Sequence, residues 1–405
     1  MKTPSRMSKR TLGRTIGVTA LVLLCKPAGA LWAASGPATV AAEFEAFFLD
    51  RIAAENVTGA AFAIATSSGI VTTGVAGFTD SSRRQRIDEN TVFRVASVSK
   101  TFAAGLAGVL VQEGQFAWDD RVVDYVPGFR IKGDSGRVRI RHLLGQSTGL
   151  VPHAYDNLLE DGVPLEQIEQ RYRELSYICP PGECFSYQNS IFSLIEPVIE
   201  KTAAQPYARL MEEKIFRPLD MRTASIGYEA LVNNPNHARP HVKSGGQWKT
   251  VAVKPNYYRV APAAGVNASA LDMGKWLSAQ MGGQPRVLDP AVVATLTLPR
   301  VATTRDRYRE HWRDMLSEAH YGLGWRIYRL GEHEIAYHSG WVSGYRADIA
   351  WSASYGIGIA VLMNVEGNSI NELTTSFWRM AFERLPPAAE RPAQPLVAAA
   401  LPRTP

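Results

Sequence analysis

A serine and a lysine lie three positions apart where the most apolar predicted helix of the chain begins. In the segment Ser97-Val98-Ser99-Lys100, the first and last residues share one helical face, so the hydroxyl group and the amine can exchange a proton directly. The positive end of the helix dipole favours the neutral amine, and it stabilises the oxyanion that forms when the serine attacks a carbonyl. This pattern predicts Ser97 as a nucleophile and Lys100 as its base.

A bare S-x-x-K pattern occurs by chance on the order of once in a chain of 405 residues, so its surroundings carry the argument. Residues 101–111 are almost wholly apolar or glycine, which predicts a buried helix that ends near Gly114. A lysine at the start of a buried helix costs free energy unless it is paired. The sequence therefore predicts a partner for Lys100.

A phenol and an amide are presented together by Tyr187 and Asn189, which follow the loop PGECFS and precede an apolar run that predicts a helix. Tyr187 can share the proton of Ser97 and deliver it to a leaving group, and Asn189 can hold Lys100 or a substrate amide. The alternative is a packed tyrosine followed by a helix-capping asparagine.

The segment His338-Ser339-Gly340 ends a predicted strand. Gly340 has no side chain, so the backbone there can approach a ligand closely. The backbone N–H of Trp341, together with that of Ser97, is therefore a candidate donor to an oxyanion.

These three motifs in this order resemble the serine β-lactamase and penicillin-binding-protein superfamily, nearest to its class C β-lactamase and esterase branch. The resemblance spans roughly residues 44–384. The blocks that resemble the family are FRVASVSKTF, LVQEGQFAWDDRVVDYVPGF, IRHLLGQSTGL, PGECFSYQNSIFSLI, IFRPLDM, PAAGVNASALDMGKWL, YGLGW and HSGWVSGYRADIAW.

The resemblance implies an α/β (α+β) fold, in which an antiparallel sheet is flanked by helices and an all-helical lobe is inserted between its strands. We expect the hydrolase domain over residues 41–385, with the sheet from about 41–95 and 320–385. Segments 228–258 and 301–317 are expected to shape the cleft. The resemblance implies no metal and no cofactor, and it places in the cleft Ser97, Lys100, Tyr187, Asn189 and His338, with Ser339 and Gly340 beside them.

One position departs from the family. Its β-lactamases and transpeptidases of this type carry Lys-Thr-Gly or Lys-Ser-Gly where this chain has His338, and the family's esterases and D-aminopeptidases often have the H-x-G form. Histidine near neutral pH is mostly uncharged, so recognition of a substrate carboxylate should weaken. Arg346 is a nearby cation, but an exposed arginine is its more ordinary interpretation.

Two other motifs compete with this assignment. Tyr155 and Asn157 also form Y-x-N, but they lie in an acidic, irregular stretch, so Tyr187 is preferred. Ser147 lies in G-x-S-x-G, the nucleophile elbow of α/β-hydrolases, but Pro152 follows where that elbow requires a helix. A third alternative is a catalytically silent relative that binds peptidoglycan or another partner through the same cleft.

The N-terminus predicts export. Residues 1–30 carry six basic and no acidic side chains around an apolar run at 15–25, which is shorter than the roughly 20 residues of a bilayer span. We expect a signal peptide over residues 1–30, a periplasmic or secreted protein, and no stable membrane insertion after cleavage; an uncleaved N-terminal anchor is the alternative. Residues 386–405 are rich in proline and alanine and predict a disordered tail.

The net charge limits the class of binding partner, and the cysteines allow a disulfide. Loss of the leader lowers the formal net charge from +6 to 0, and no basic stripe remains, so a nucleic-acid partner is not expected. The expected partner is a small-molecule or peptide acyl substrate, and the oligomeric state is not readable. Cys179 and Cys184 can form a disulfide in an oxidising compartment, with two free thiols as the alternative.

Overall fold

The computed structural model of the protein describes residues 36–387. The predicted signal peptide lies outside these residues, as does the predicted tail from residue 388 onward. Within the described part of the chain, no helix is both long enough and apolar enough to cross a membrane.

The strands of the described residues form one large antiparallel sheet and two small ones. The large sheet has eight strands in the order β2-β1-β13-β12-β11-β10-β9-β8, the second sheet has the order β3-β7-β4, and β5 pairs with β6. The strands are β1 (Gly59–Thr66), β2 (Gly69–Gly77), β3 (Phe93–Arg94), β4 (Ser225–Ile226), β5 (His241–Ser244), β6 (Gln247–Thr250), β7 (Val266–Ala268), β8 (Val301–Ala302), β9 (Glu318–Tyr321), β10 (Arg326–Leu330), β11 (His333–Val342), β12 (Tyr345–Ser352) and β13 (Ile357–Met363).

Many short helices and turns lie between β2 and β8, with the short strands of the small sheets among them. The α-helices are α1 (Pro37–Ala54), α2 (Ser99–Gln112), α3 (Val122–Tyr125), α4 (Ile140–Leu144), α5 (Asp156–Glu160), α6 (Leu165–Gln170), α7 (Ile195–Ala203), α8 (Tyr207–Met211), α9 (Tyr228–Val232), α10 (Ala261–Ala264), α11 (Ala270–Gln280), α12 (Pro290–Thr297) and α13 (Ser369–Arg384). Short 3₁₀ turns cover Ala96–Val98, Ser135–Arg137, Arg171–Glu174, Phe192–Leu194, Asn256–Arg259 and Thr304–Tyr308, and Glu212–Phe216 is π-helical. The predicted antiparallel sheet flanked by helices is confirmed.

Strand β1 shows why the large sheet is covered on both faces. Its side chains alternate between two hydrophobic clusters, as the pleat of a strand requires. Phe62 lies in the cluster formed with α1 and α13, where its ring centroid is 5.0 Å from that of Phe44 and 4.8 Å from that of Phe48. Ala61 and Ala63 lie in the opposite cluster, with α2 and α11. The sheet is thus the middle layer between two layers of helices.

Helix α2 is buried on nearly every side. This burial fixes the position of the turn Ala96–Val98, which contains Ser97 and precedes the helix. Phe102 stacks on Trp276 of α11, with ring centroids 4.4 Å apart and planes 16° apart. Gly105 faces the same indole, and a Cβ atom there would lie only 2.7 Å from a ring carbon. The Trp276 indole N–H also donates to Thr101 Oγ1 at 3.1 Å. One indole therefore locks α2 against α11.

We expect Trp276→Ala to lower the free energy of unfolding by about 3–5 kcal/mol, because it removes a fully buried ring and leaves a cavity beside α2. Denaturant unfolding followed by far-UV circular dichroism measures the change. Leu49→Ala is the control, because Leu49 is 47% exposed on α1 and its loss should cost no more than about 0.5 kcal/mol. Equal changes in the free energy of unfolding for the two variants would mean that Trp276 does not hold α2 against α11.

Candidate active site

Ser97 lies in the 3₁₀ turn Ala96–Val98, which connects β3 to α2. Ala96 has a φ of 49°, a left-handed conformation that costs energy for a residue with a Cβ atom. Ser99 holds the turn in place, since its hydroxyl group donates to Ala96 O at 2.6 Å and accepts the Val266 N–H at 2.9 Å. The turn is thereby tied to β7, and Ser97 lines an open cavity.

Lys100 is fully buried, and its Nζ atom is the point where the candidate residues meet. It lies 3.2 Å from Ser97 Oγ, 2.8 Å from Asn189 Oδ1 and 3.0 Å from the main-chain oxygen of Ala263. The Tyr187 ring centroid is 4.8 Å away. A neutral amine keeps two donors for Asn189 and Ala263, which leaves its lone pair for the Ser97 proton.

Burial favours that neutral amine. Burial is the largest influence on the pKa of Lys100 and lowers it below 10.5, the usual value for lysine. The positive charge of Arg326 also lowers the pKa, while Tyr187 and Asp156 act in the opposite direction. The sequence predicts that the helix end favours the neutral amine of Lys100, whereas in the structure the main cause of its lowered pKa is loss of solvent.

Tyr187 is held by the loop that contains the rival GQSTG motif. Gln146 Nε2 donates to the main-chain oxygen of Gln188 at 3.0 Å, and its Oε1 accepts the Gln188 N–H at 2.8 Å. Thr148 Oγ1 donates to the Gln188 side chain at 2.7 Å. Two side chains of the motif therefore fix the residue between Tyr187 and Asn189.

Ser147 itself is buried and does not line the cavity of Ser97. Its backbone N–H donates to His142 O, and its backbone carbonyl accepts the N–H of Gly182. Gly149, with a φ of 77°, continues the chain as a turn rather than a helix. The geometry of a nucleophile elbow is absent at this site, and Ser147 is a turn residue.

A disulfide joins Cys179 to Cys184, and Cys184 lies in the segment PGECFS before Tyr187. The backbone N–H of Ile178 donates to Gly149 O at 2.8 Å, so the disulfide loop pairs with the GQSTG turn. The Ser186 hydroxyl group donates to Leu150 O. The segment that precedes Tyr187 is thus held by a disulfide and by hydrogen bonds.

The competing Tyr155 lies elsewhere, because its hydroxyl group donates to Arg171 O at 3.0 Å and to Glu174 at 3.2 Å. Its neighbour Asp156, in contrast, belongs to the site. Asp156 Oδ2 accepts the Asn189 side-chain amide at 2.8 Å and lies 2.9 Å from His153 Nδ1. The structure brings together the predicted Ser97, Lys100, Tyr187 and Asn189, and it adds Asp156 and His153.

His338 is buried rather than open to the cleft. Its Nδ1 lies 2.9 Å from Ser339 O, which can only accept, so Nδ1 carries the proton and Nε2 accepts the Tyr321 hydroxyl group at 3.1 Å. Burial, with the positive charge of Arg326, holds the pKa of His338 well below 6.5. Among the described residues that line the cavity, Ser339 and Trp341 are present but His338 is not.

The end of β11 is arranged to present a backbone donor. Val342 and Tyr345 close a two-residue hairpin, so their main chains bond each other and Trp341, one residue earlier, directs its N–H away from β12. Strand β10 pairs only as far as Tyr337, so this side of β11 is free. A Cβ atom on Gly340 would lie 2.2 Å from Val95 O, which places β11 against the turn that carries Ser97.

The cavity at Ser97 has a volume of about 690 Å³. Both segments predicted to shape the cleft contribute to its wall. Its lining includes Ser97, His153, Asp156, Tyr187, Asn189, Ser339 and Trp341, then Lys254, Asn256 and Tyr257 from the first segment and Asp306 from the second. A larger cavity of about 1190 Å³ lies beside α1 and β2, but its one serine, Ser81, bonds Thr250 rather than a base.

Arg326 is a residue of the site that sequence reasoning missed. It is nearly buried, forms an ion pair with Asp306, and its guanidinium carbon lies 5.7 Å from the Tyr187 ring centroid and 5.5 Å from that of Phe185. Position 326 begins β10 directly after the YGLGW block, and nothing in its neighbours predicts contact with Tyr187. Arg346, the cation weighed from the sequence, instead lies over the Trp341 ring at 5.1 Å.

Comparison with known proteins places this chain in a family. A sequence model described as Beta-lactamase matches residues 44–375. The chain is 24% identical over 321 residues to the unguisins hydrolase ungD' of Aspergillus campestris, which covers 75% of this chain and 58% of that protein. It is 28% identical over 201 residues to esterase EstB of Burkholderia gladioli, which covers 46% of this chain and 51% of that esterase. The chain thus spans little more than half the length of these curated relatives.

Solved structures show the same fold. The octameric penicillin-binding protein homologue from Pyrococcus abyssi superposes with a TM-score of 0.75 at 22% identity, over 85% of this chain and 78% of that one. A D-stereospecific amidohydrolase from Streptomyces superposes with a TM-score of 0.65 at 21% identity, over 81% of this chain and 96% of that one.

We expect Gly340→Val to lower the free energy of unfolding by about 1–3 kcal/mol, because the added atoms meet the main chain of Val95. Gly128→Val is the control, since a Cβ atom at Gly128 has no neighbour within 4 Å. Chemical denaturation of both variants tests the contact. A Gly340 variant as stable as the control would mean that β11 does not touch the turn.

Histidine 338 should make the protein sensitive to acid. The folded state keeps His338 neutral below pH 6.5 while the unfolded state binds a proton, so the free energy of unfolding falls as the pH is lowered through that value. The His338→Gln substitution removes this contribution, so the free energy of unfolding of the variant should fall less steeply between pH 6.5 and about pH 5. Denaturant titrations across this range measure both slopes. The pKa of His142, lowered to about 4 by burial, contributes equally in both proteins, and equal slopes would contradict the prediction.

Proposed function

Because the chain belongs to the β-lactamase family of hydrolases, we propose that it is a serine hydrolase that forms an acyl-enzyme on Ser97. The contact of the buried Lys100 Nζ with Ser97 Oγ is the observation that carries this proposal. Lysine deprived of solvent beside a cavity-lining hydroxyl group is a base placed against a nucleophile. We also propose that residues 1–30 direct export, so that catalysis occurs in the periplasm or outside the cell.

In the acylation step, Ser97 Oγ attacks the substrate carbonyl and its proton passes to the Lys100–Tyr187 pair. The N–H groups of Ser97 and Trp341 stabilise the oxyanion. When the intermediate collapses, the bond to the leaving group breaks and Tyr187 delivers the proton to that group. Water then resolves the acyl-enzyme, which releases the acid and restores the Ser97 hydroxyl group.

The preferred substrate is an uncharged ester or amide. His338 stands where β-lactamases and transpeptidases of this family carry a lysine, and here it is buried and neutral, so it supplies no charge for a substrate carboxylate. Trp341 is 64% exposed and lines the cavity, which favours an apolar group at the mouth. The names of the esterase and amidohydrolase relatives support both bond types.

We expect Ser97→Ala to abolish hydrolysis of p-nitrophenyl acetate with the fold unchanged, because Ser147, the rival candidate, is buried and does not line the cavity. Lys100→Ala and Tyr187→Phe should each lower the rate by about 10²-fold or more. Release of p-nitrophenolate and thermal unfolding are the measurements. Ser147→Ala is the matched control and should keep full activity. Full activity in Ser97→Ala would overturn the mechanism, and no turnover in the wild type would favour a silent binding relative.

Intact-mass analysis separates the possible substrates. With p-nitrophenyl acetate we expect a transient acetyl adduct that is lost in Ser97→Ala, and with benzylpenicillin we expect neither an adduct nor drug loss, because His338 is neutral. A lasting penicillin adduct would instead assign a penicillin-binding protein. A fleeting adduct with hydrolysed drug would assign a β-lactamase.

A further inference from the structure

An imidazole that the mechanism above does not use lines the same cavity as Ser97. His153 Nδ1 lies 2.9 Å from Asp156 Oδ2. A carboxylate oxygen accepts, so the neutral form of the imidazole donates from Nδ1 and has its lone pair on Nε2. The His153 side chain is 63% exposed, and among residues 36–387 no protein atom is hydrogen-bonded to Nε2. The pair therefore presents a basic nitrogen to the cavity.

The Asp156 carboxylate is linked to Lys100 through the side chain of Asn189. Its Oδ2 accepts the Asn189 Nδ2 at 2.8 Å, and Asn189 Oδ1 accepts from Lys100 at 2.8 Å. A flipped amide would place its oxygen against the carboxylate, so this orientation is the one that satisfies both ends. The side chain of Asp156 is 11% exposed. The position of His153 is thus tied to that of Lys100 through two buried side chains.

The backbone places His153 beside Tyr187 at an energetic cost. His153 has a φ of 56° and Tyr155 has a φ of 62°, both in the left-handed region that residues with a Cβ atom rarely adopt. The His153 N–H donates to Tyr187 O at 2.7 Å, and the two ring centroids are 5.6 Å apart. Strain of this kind persists where function requires a particular side-chain position.

We propose that His153, held by Asp156, is a second catalytic base of this site and accepts a proton from the water that resolves the acyl-enzyme. An imidazole whose Nδ1 is bonded to a carboxylate and whose Nε2 is free to accept a proton is a general base of the kind that serine hydrolases use. The two bases act on different groups because they differ in exposure. The buried Lys100, with Tyr187, exchanges the proton of Ser97, whereas the exposed His153 accepts the proton of the attacking water.

The proton balance is complete. The water oxygen forms a bond to the acyl carbon, and one water proton passes to His153 Nε2. Collapse of the intermediate breaks the bond between that carbon and Ser97 Oγ, and the second water proton returns to Oγ through Tyr187 and Lys100. His153 then releases its proton to solvent, to which its ring is open. The products are a carboxylate, the free serine and one proton in solution.

The experiment compares wild-type protein with His153→Asn, because asparagine tolerates the left-handed backbone and can still donate to Asp156 but is not a base. Acyl-Ser97 formed from p-nitrophenyl acetate is quenched at intervals and quantified by intact mass, beside the release of p-nitrophenolate. We expect acylation within about threefold of wild type and deacylation slowed by about 10²-fold, so that adduct accumulates. Added imidazole should restore part of the deacylation rate.

His237→Asn is the matched control, since His237 lies in a different cavity and bonds the backbone of Asn234. An unchanged adduct level in His153→Asn, or a slowed acylation step, would overturn the proposal. The inference rests on the acyl-enzyme on Ser97, and the two failures are distinguishable. If that mechanism is wrong, no variant carries an adduct on Ser97, whereas if only the role of His153 is wrong, the adduct forms and decays as in the wild type.

Discussion

The burial of one amino group organises the candidate active site. Lys100 is fully buried, so the bonding directions of its Nζ atom must be met within the fold. Its partners come from three segments, since Asn189 and Ala263 are 89 and 163 residues away along the chain, while Ser97 lies one turn before it. A fold that satisfies this amine has brought the nucleophile, the amide and the wall of the cavity together. The same loss of solvent favours the neutral form that can accept a proton.

Much of this arrangement could be predicted because its signals are local. The apolar run after Lys100 indicates a buried helix, and the structure places α2 over Ser99–Gln112 with Gly114 in a left-handed turn. Two runs within residues 59–80 and the alternation at residues 334–364 similarly indicate strands, and the structure has β1, β2 and β11–β13 there. A helix or strand depends on the period of its own residues, which one sequence contains.

The rest depends on contacts between distant segments. Asp156 lies between Tyr155 and Asn157 in a stretch that the sequence predicts to be irregular, and its hydrogen bond to Asn189 joins residues 33 positions apart. The burial of His338 depends on Tyr321, which reaches it from a neighbouring part of the sheet. The motif around Ser147 misleads in the opposite sense, since a pattern typical of a nucleophile here provides hydrogen bonds to Gln188, between Tyr187 and Asn189. Residue type alone does not separate these roles.

The contact of Gly340 with the main chain of Val95 has a consequence for the timing of activity. It joins β11, near the end of the chain, to the turn that carries Ser97. A growing chain that has already formed α2 and the Tyr187 segment has a nucleophile and a base, but the edge that would receive the negative charge has not yet been synthesised. If the proposed mechanism holds, the site is inert until β11 has been synthesised and has paired. Loss of the final strands would remove the Trp341 donor together with central strands of the large sheet.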